Sequence, residues 1–127
     1  MTEEDTVEVD HVEVNVAVVK GTCSSPAEVR TLPSGDVLAQ LQVTARVGAE
    51  ALSVPVAVHQ PAAWVESLDT GDEVVVVGPV RRRFFRAVGT TASRVEIRAD
   101  AIARVRDRRR LAALQRRVAT LLGALDA

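Results

Sequence analysis

The chain has 127 residues, 47% of them apolar and 26% charged, enough to bury roughly two-thirds of its unfolded surface in one domain without a metal or a disulfide. Two Phe, one Trp and no Tyr leave the core to Val, Ala and Leu, and argue against any function resting on a broad aromatic surface. The single cysteine, Cys23, excludes an intrachain disulfide and a Cys-based zinc site. The acidic start, Met1-Thr-Glu-Glu-Asp5, has no apolar stretch behind it and does not read as a secretory signal. Apolar runs such as Val74–Val77 are strand-sized, far short of a membrane span. The expectation is a soluble protein of a reducing cytosol, with a cytoplasmic, nucleoid-associated location.

The net charge of −1 conceals a split. Residues 1–63 carry three basic and nine acidic groups, net −6; residues 64–127 carry thirteen Arg against eight acids, net +5. Such asymmetry points to a basic surface for a polyanion and an acidic arm elsewhere. Fifteen of the sixteen basic residues are Arg, which pairs bidentately with phosphate and stacks on flat rings as Lys cannot.

In chain order, residues 1–10 read as an acidic flexible arm. From Val12, alternation puts Val12, Val14, Val16 and Val18 on one side and Glu13, Asn15 and Ala17 on the other, a half-buried strand ended by Gly21 and Cys23-Ser-Ser-Pro26. Leu32-Pro-Ser-Gly35 is a turn. A second strand covers about Val37–Val47, with Val37, Ala39, Leu41, Val43 and Ala45 on its apolar face. Gly48 turns into a third strand, about Leu52–Val58. Pro61 to Leu68 reads as a short helix with Pro in its first turn. Val74–Val77 is a buried strand that continues through Arg81-Arg-Arg-Phe-Phe-Arg86 to a hairpin tip near Gly89. A fifth strand returns through Val95–Ile102. Five strands with a helix between the third and fourth is the order of an all-β, five-stranded Greek-key barrel, the OB-fold, here spanning residues 11–104.

Residues 105–127 are of another kind. Leu111, Leu114, Val118, Leu121 and Leu125 are spaced 3, 4, 3 and 4, which places them within an arc of about 80° on a helix. Arg109 and Arg116 fall opposite, with Arg106 and Arg117 on one flank. Two heptads are too few for a free-standing coiled coil. The stripe of this added C-terminal amphipathic helix therefore packs on the chain's own sheet or forms an oligomer interface.

The segment Ala27-Glu-Val-Arg-Thr-Leu-Pro-Ser-Gly35 resembles the Pro-Glu-Val-Arg-x-x-Pro-Ser-Gly stretch of bacterial single-stranded DNA-binding proteins. Asn15 and Gly21 fit that family's first strand, Leu41 to Ala45 its second, Gly71-Asp-Glu-Val-Val-Val-Val-Gly78 its Val-rich strand, and Ser93-Arg-Val-Glu-Ile-Arg-Ala-Asp100 its closing strand. The resemblance covers about residues 12–105. It implies an OB-fold homo-oligomer, commonly a tetramer, that binds single-stranded DNA without sequence preference in replication, repair or recombination. The chain also departs from the family. Leu52 and Val58 occupy third-strand positions usually held by Trp and Phe, and only Phe85, with Phe84 beside it, matches an aromatic stacking position. The Gly/Gln/Pro tail with an acidic partner-recruiting tip has no counterpart in Ala124-Leu-Asp-Ala127. The loop between the second and third strands is clipped to a few residues around Gly48. The pattern is that of a divergent or accessory paralogue.

The stretch Arg81–Arg86 carries the sharpest functional signal. Strand alternation puts Arg81, Arg83 and Phe85 on one face and Arg82, Phe84 and Arg86 on the other. Two guanidinium groups and a ring are the minimum for holding a phosphate and stacking a base, and each stacked base is worth ~1–3 kcal/mol. A solvated hairpin with its rings packed inward or across an interface is the plainer alternative. Arg30 and Arg46 are lesser groove candidates. Five or six engaged Arg would give a slope of about −4 in log K against log salt. Trp64 reads as core, and His11 and His59 as surface or packing residues. Arg104–Arg110 is either a solvated face, an extension of the DNA path or an acidic-partner surface. The arm Glu3–Asp10 could compete with phosphate for the groove.

No phosphate loop, dinucleotide fingerprint, nucleophile setting or metal spacing is present. The expectation is therefore a protein with no enzymatic activity, no cofactor and no metal. The alternative function is an OB-fold protein-interaction or oligomerisation module with weakened nucleic-acid binding. An RNA ligand is not separable from DNA by sequence.

Overall fold

The computed structural model describes residues 13–126. The acidic arm, His11 and the proposed strand start at Val12 lie outside them. The chain folds as one sheet of eight strands followed by a helix. In chain order these are β1 (Ala17–Cys23), β2 (Glu28–Thr31), β3 (Val37–Val47), β4 (Glu50–His59), the one-turn helix α1 (Ala63–Glu66), β5 (Glu73–Gly78), β6 (Val80–Ala87), β7 (Thr90–Arg98), β8 (Ala101–Arg104) and α2 (Arg108–Gly123). A 3-10 turn, Ala124–Asp126, closes α2. The hydrogen-bonded order is β6-β7-β4-β3-β1-β5-β8, with β2 paired to β3 alone. All pairings are antiparallel except β4 with β7.

The predicted second strand matches β3, because alternation from Ala39 to Val47 leaves little ambiguity. The count of five strands does not match. β2 has no counterpart among the five: its four residues, Glu28–Thr31, are all exposed and present no buried face to read. The predicted fourth strand is divided at Pro79, which lacks an N–H for the ladder. There the Asn15 side chain acts as a surrogate strand, accepting from the Val80 amide at 2.9 Å and donating to the Val80 carbonyl at 2.8 Å. The predicted fifth strand is likewise two, β7 and β8, broken at Ala99 and Asp100.

The main core is built where the inner-facing sets meet: Ala39, Leu41 and Val43 of β3, Val56 and Val58 of β4, Val74 and Val76 of β5, and Ile97 of β7, closed by Val65 and Leu68 around α1. Gly21 lies inside β1 and does not end it. A Cβ there would run into the carbonyl of Thr44 on β3, and one at Gly78 into the carbonyl of Arg98. Both glycines let neighbouring backbones approach closely.

The face expected to be buried in the first strand is inverted. Ala17 and Val19 pack on the main core, whereas Val16 joins a second cluster and Val18 stays 49% exposed. The cause is α2. Its Leu111, Leu114, Val118 and Leu121 pack with Val75, Val77, Ala101 and Ala103, giving the outer face of β5 and β8 an apolar layer of its own. Of the two readings of the Leu/Val stripe, packing on the chain's own sheet holds for these four. Leu125, at 64% exposure and within the 3-10 turn, takes no part. The helix spans sixteen of the residues 105–127. It starts at Asp107, whose carboxylate accepts from the Arg110 amide at 3.1 Å. No helix among the described residues is long and apolar enough to cross a membrane.

Candidate nucleic-acid interface

The basic hairpin is β6 and β7, paired so that Arg83 stands opposite Arg94, Phe85 opposite Ala92 and Arg81 opposite Glu96. Directly opposed residues share a face. Arg81, Arg83, Phe85, Arg94 and Glu96 thus lie together, with Arg98 two residues farther along β7. Arg82, Phe84 and Arg86 lie on the reverse. This separation is the one that alternation predicts.

The first face runs onto the outer face of β3 and β4. Arg30, Gln40, Arg83, Phe85 and Arg94 line one depression; Arg30, Gln40 and Arg94 continue into a second with Ser25, Glu28 and Gln42. At about 50 and 110 Å³ these are open footholds along a track, not pockets that enclose a ligand. β2 brings Arg30 here by pairing it with Leu38 of β3. Arg46 lies on the same side of β3 but near the hairpin turn, outside both depressions.

Glu96 organises the hairpin. Its side chain is 2% exposed, and Arg83 Nε donates to its two carboxylate oxygens at 3.2 and 3.1 Å. A carboxylate buried this deeply requires such a partner. The same guanidinium lies 5.6 Å from the Phe85 ring centre, within cation–π range. Arg83 is therefore fixed from both sides, and only part of its hydrogen-bonding capacity remains for a phosphate. Phe85 is 37% exposed and braced; Phe84 is 67% exposed on the reverse face. There Arg82 donates to Ser93 Oγ at 2.9 Å.

His59, at the end of β4, sits in the same charged neighbourhood. Burial first, then the guanidinium groups of Arg98 and Arg81, hold its imidazole below the usual value, against the opposing carboxylates of Glu96 and Asp36. Its Nε2 is buried without a hydrogen-bond partner among the described residues. Of the two third-strand positions compared with family aromatics, Val58 faces the core at 7% exposure and Leu52 is half exposed near the β3–β4 turn.

Trp64 is partly buried against the main core, and its ring lies 5.3 and 5.1 Å from the Arg104 and Arg110 guanidinium carbons. A surface depression of about 590 Å³ opens beside these residues at the start of α2, away from the hairpin.

Sequence reasoning missed Arg94, Arg98 and Glu96 as members of the site. A signal was available for two of them: a turn at Val88–Gly89 sets residue 83 across from 94 and residue 81 across from 96. The junction of Arg30 with this face depends on β2 and had no such signal. Neither family models nor curated protein sequences gave a match to the chain.

Proposed function

We propose that this protein binds single-stranded nucleic acid, DNA in the first instance, along the outer face of β3 and β4 between β2 and the β6–β7 hairpin. The observation that carries the reading is the convergence of Arg30, Arg83 and Arg94 with Phe85 on one open track, from three separate strands. Three guanidinium groups supply phosphate contacts, and a braced ring supplies a stacking platform that tolerates any base. The glutamines at 40 and 42 add neutral polar contacts between the charged groups.

The fold supports this in its finer reading as a five-stranded OB barrel. Setting the short β2 aside, and taking β5 with β6 as one bent strand and β7 with β8 as another, gives five strands. Each neighbours two others, and one pairing, β4 with β7, is parallel. On that reading the track coincides with the strand 2–3 face that OB-folds use for oligonucleotides, flanked by the first and last connecting loops. The resemblance to bacterial single-stranded DNA-binding proteins adds the expectation of a homo-oligomer without catalytic activity.

The second reading, an interaction module with weakened binding, draws on the commitment of Arg83 to Glu96 and on the exposed Phe84, Val88 and Leu52 of the two hairpins. Fluorescence anisotropy with labelled single-stranded DNA, duplex DNA and RNA at two salt concentrations separates them. Selective binding of single strands, weakening with a log–log slope of about −3 for four or five phosphate contacts, supports the first. Absence of binding at low salt supports the second, and a preference for RNA would reassign the ligand.

A further inference from the structure

We propose that the solvent face of α2 is a second binding surface for the same polynucleotide strand, continuing the track beyond the sheet. The inference rests on the nucleic-acid reading above. Residues 108–123 contain five Arg and no acidic residue. Three of the five, Arg108, Arg109 and Arg110, occupy the first turn, where the positive end of the helix dipole repels them. The last turn, where basic residues would steady the helix, has none. Arg110 is held by Asp107 and the Trp64 ring, but stability does not account for Arg108 and Arg109.

Two of the nearby acids are engaged, while Glu73, which lines the depression beside Arg106 and Arg108, forms no ion pair among the described residues. Asp107 pairs with Arg110 at 3.1 Å, and Asp100 with Arg117. Arg106, Arg108, Arg109 and Arg116 are exposed and form no ion pair among the described residues. Arg109 and Arg116 are seven residues apart and so lie almost in line, about 10 Å from each other along the axis. They face away from the apolar stripe that holds the helix to β5 and β8.

The two surfaces are joined. Arg94 and Arg98 alternate along the outer face of β7, and Asp100, two residues past Arg98, is the group that Arg117 of α2 grips. A strand leaving the β3–β4 face along β7 therefore meets α2 at Arg117, whose partner Asp100 is already engaged, and continues over Arg116 and Arg109. Charged contacts of this kind are indifferent to base identity, as a backbone-tracking surface must be.

The test compares oligothymidylates of about 8 and about 35 nucleotides, the first within the range occupied by one OB domain. They are titrated over a salt series against the wild type and the variant Arg106→Gln/Arg108→Gln/Arg109→Gln/Arg116→Gln. The long oligomer should give the wild type a slope steeper by up to about 3, since each phosphate contributes roughly 0.7. The variant should lose that difference and bind the 35-mer at least tenfold more weakly at low salt, with its affinity for the 8-mer unchanged and its melting temperature no lower, since cations at the positive end of the helix dipole are removed. Arg109→Lys/Arg116→Lys should keep the steep slope. A variant that binds both lengths as the wild type does overturns the proposal. Failure of the wild type to bind the 8-mer, with the 35-mer still bound through α2, overturns the sheet-face reading and leaves α2 as the interface. Failure to bind either length overturns both.

Discussion

The two outer faces of the sheet begin from the same alternating pattern and end with opposite characters. On β5 and β8 the outward residues are Val75, Val77, Ala101 and Ala103, joined by Val16 just before β1, and α2 packs on them. On β3, β4 and β7 they are Gln40, Gln42, His59, Glu96 and Arg98, bordered by arginines and left open. Inner-facing residues build a common core for both. What distinguishes a packed face from a working face here is the chemistry of every second residue, since side chains along a strand alternate between faces. The open face also keeps small or buried residues beneath its charged ones: Ala57 and Leu38 are at 0% and 1% exposure.

The comparison is broken most directly on the packed face. Leu114 is 3% exposed in the second cluster, so Leu114→Ala should cost about 3 kcal/mol in a denaturant titration, with affinity for a short oligonucleotide unchanged. If the cost is under ~0.5 kcal/mol, α2 does not pack as described. On the open face, Glu96→Ala removes the partner of a part-buried guanidinium and should cost on the order of 2 kcal/mol. It should not weaken binding at low salt, because Arg83 is released to phosphate. A stability unchanged from wild type would show that the pair does not organise the hairpin.

The smaller effects sharpen the contrast between the hairpin's two sides. Phe85→Ala should weaken single-strand binding by about 1 kcal/mol, roughly fivefold, at the low end for stacking because the ring already bears Arg83. Phe84→Ala should leave binding within twofold in the same anisotropy titration. Equal losses would contradict the facial separation. His59 gives the least effect. Its pKa lies below the unfolded value, so the unfolded chain takes up the proton more readily and stability falls with acidification. The stabilising contribution is complete above the ordinary His value near 6.5 and is lost as pH falls through the lower folded value. Thermal melts from pH 7.5 to 5 should show this decline, and His59→Gln should flatten it.

Much of this was legible in the residues. The alternation from Ala39 to Val47 identifies β3, and Gly48 and Gly89 mark the two hairpin turns. The hairpin's two faces follow from strand period alone, and its register already sets Arg94 opposite Arg83. The heptad-like spacing of Leu111, Leu114, Val118 and Leu121 identified the helix and its buried side. β2 was hidden because its four exposed residues make no pattern a window could detect.

Local sequence thus determined the elements, their alternating faces and the clustering of charge, because these depend on backbone period and side-chain identity over a few residues. Tertiary structure decided which apolar face of β1 is internal, since that depends on where α2 docks from some ninety residues away. It decided that Arg83 is held by Glu96. It also decided that Arg30 shares a surface with Phe85 and that Arg46 does not, because separation in space between different strands is fixed by sheet order and register, which no short stretch of sequence contains.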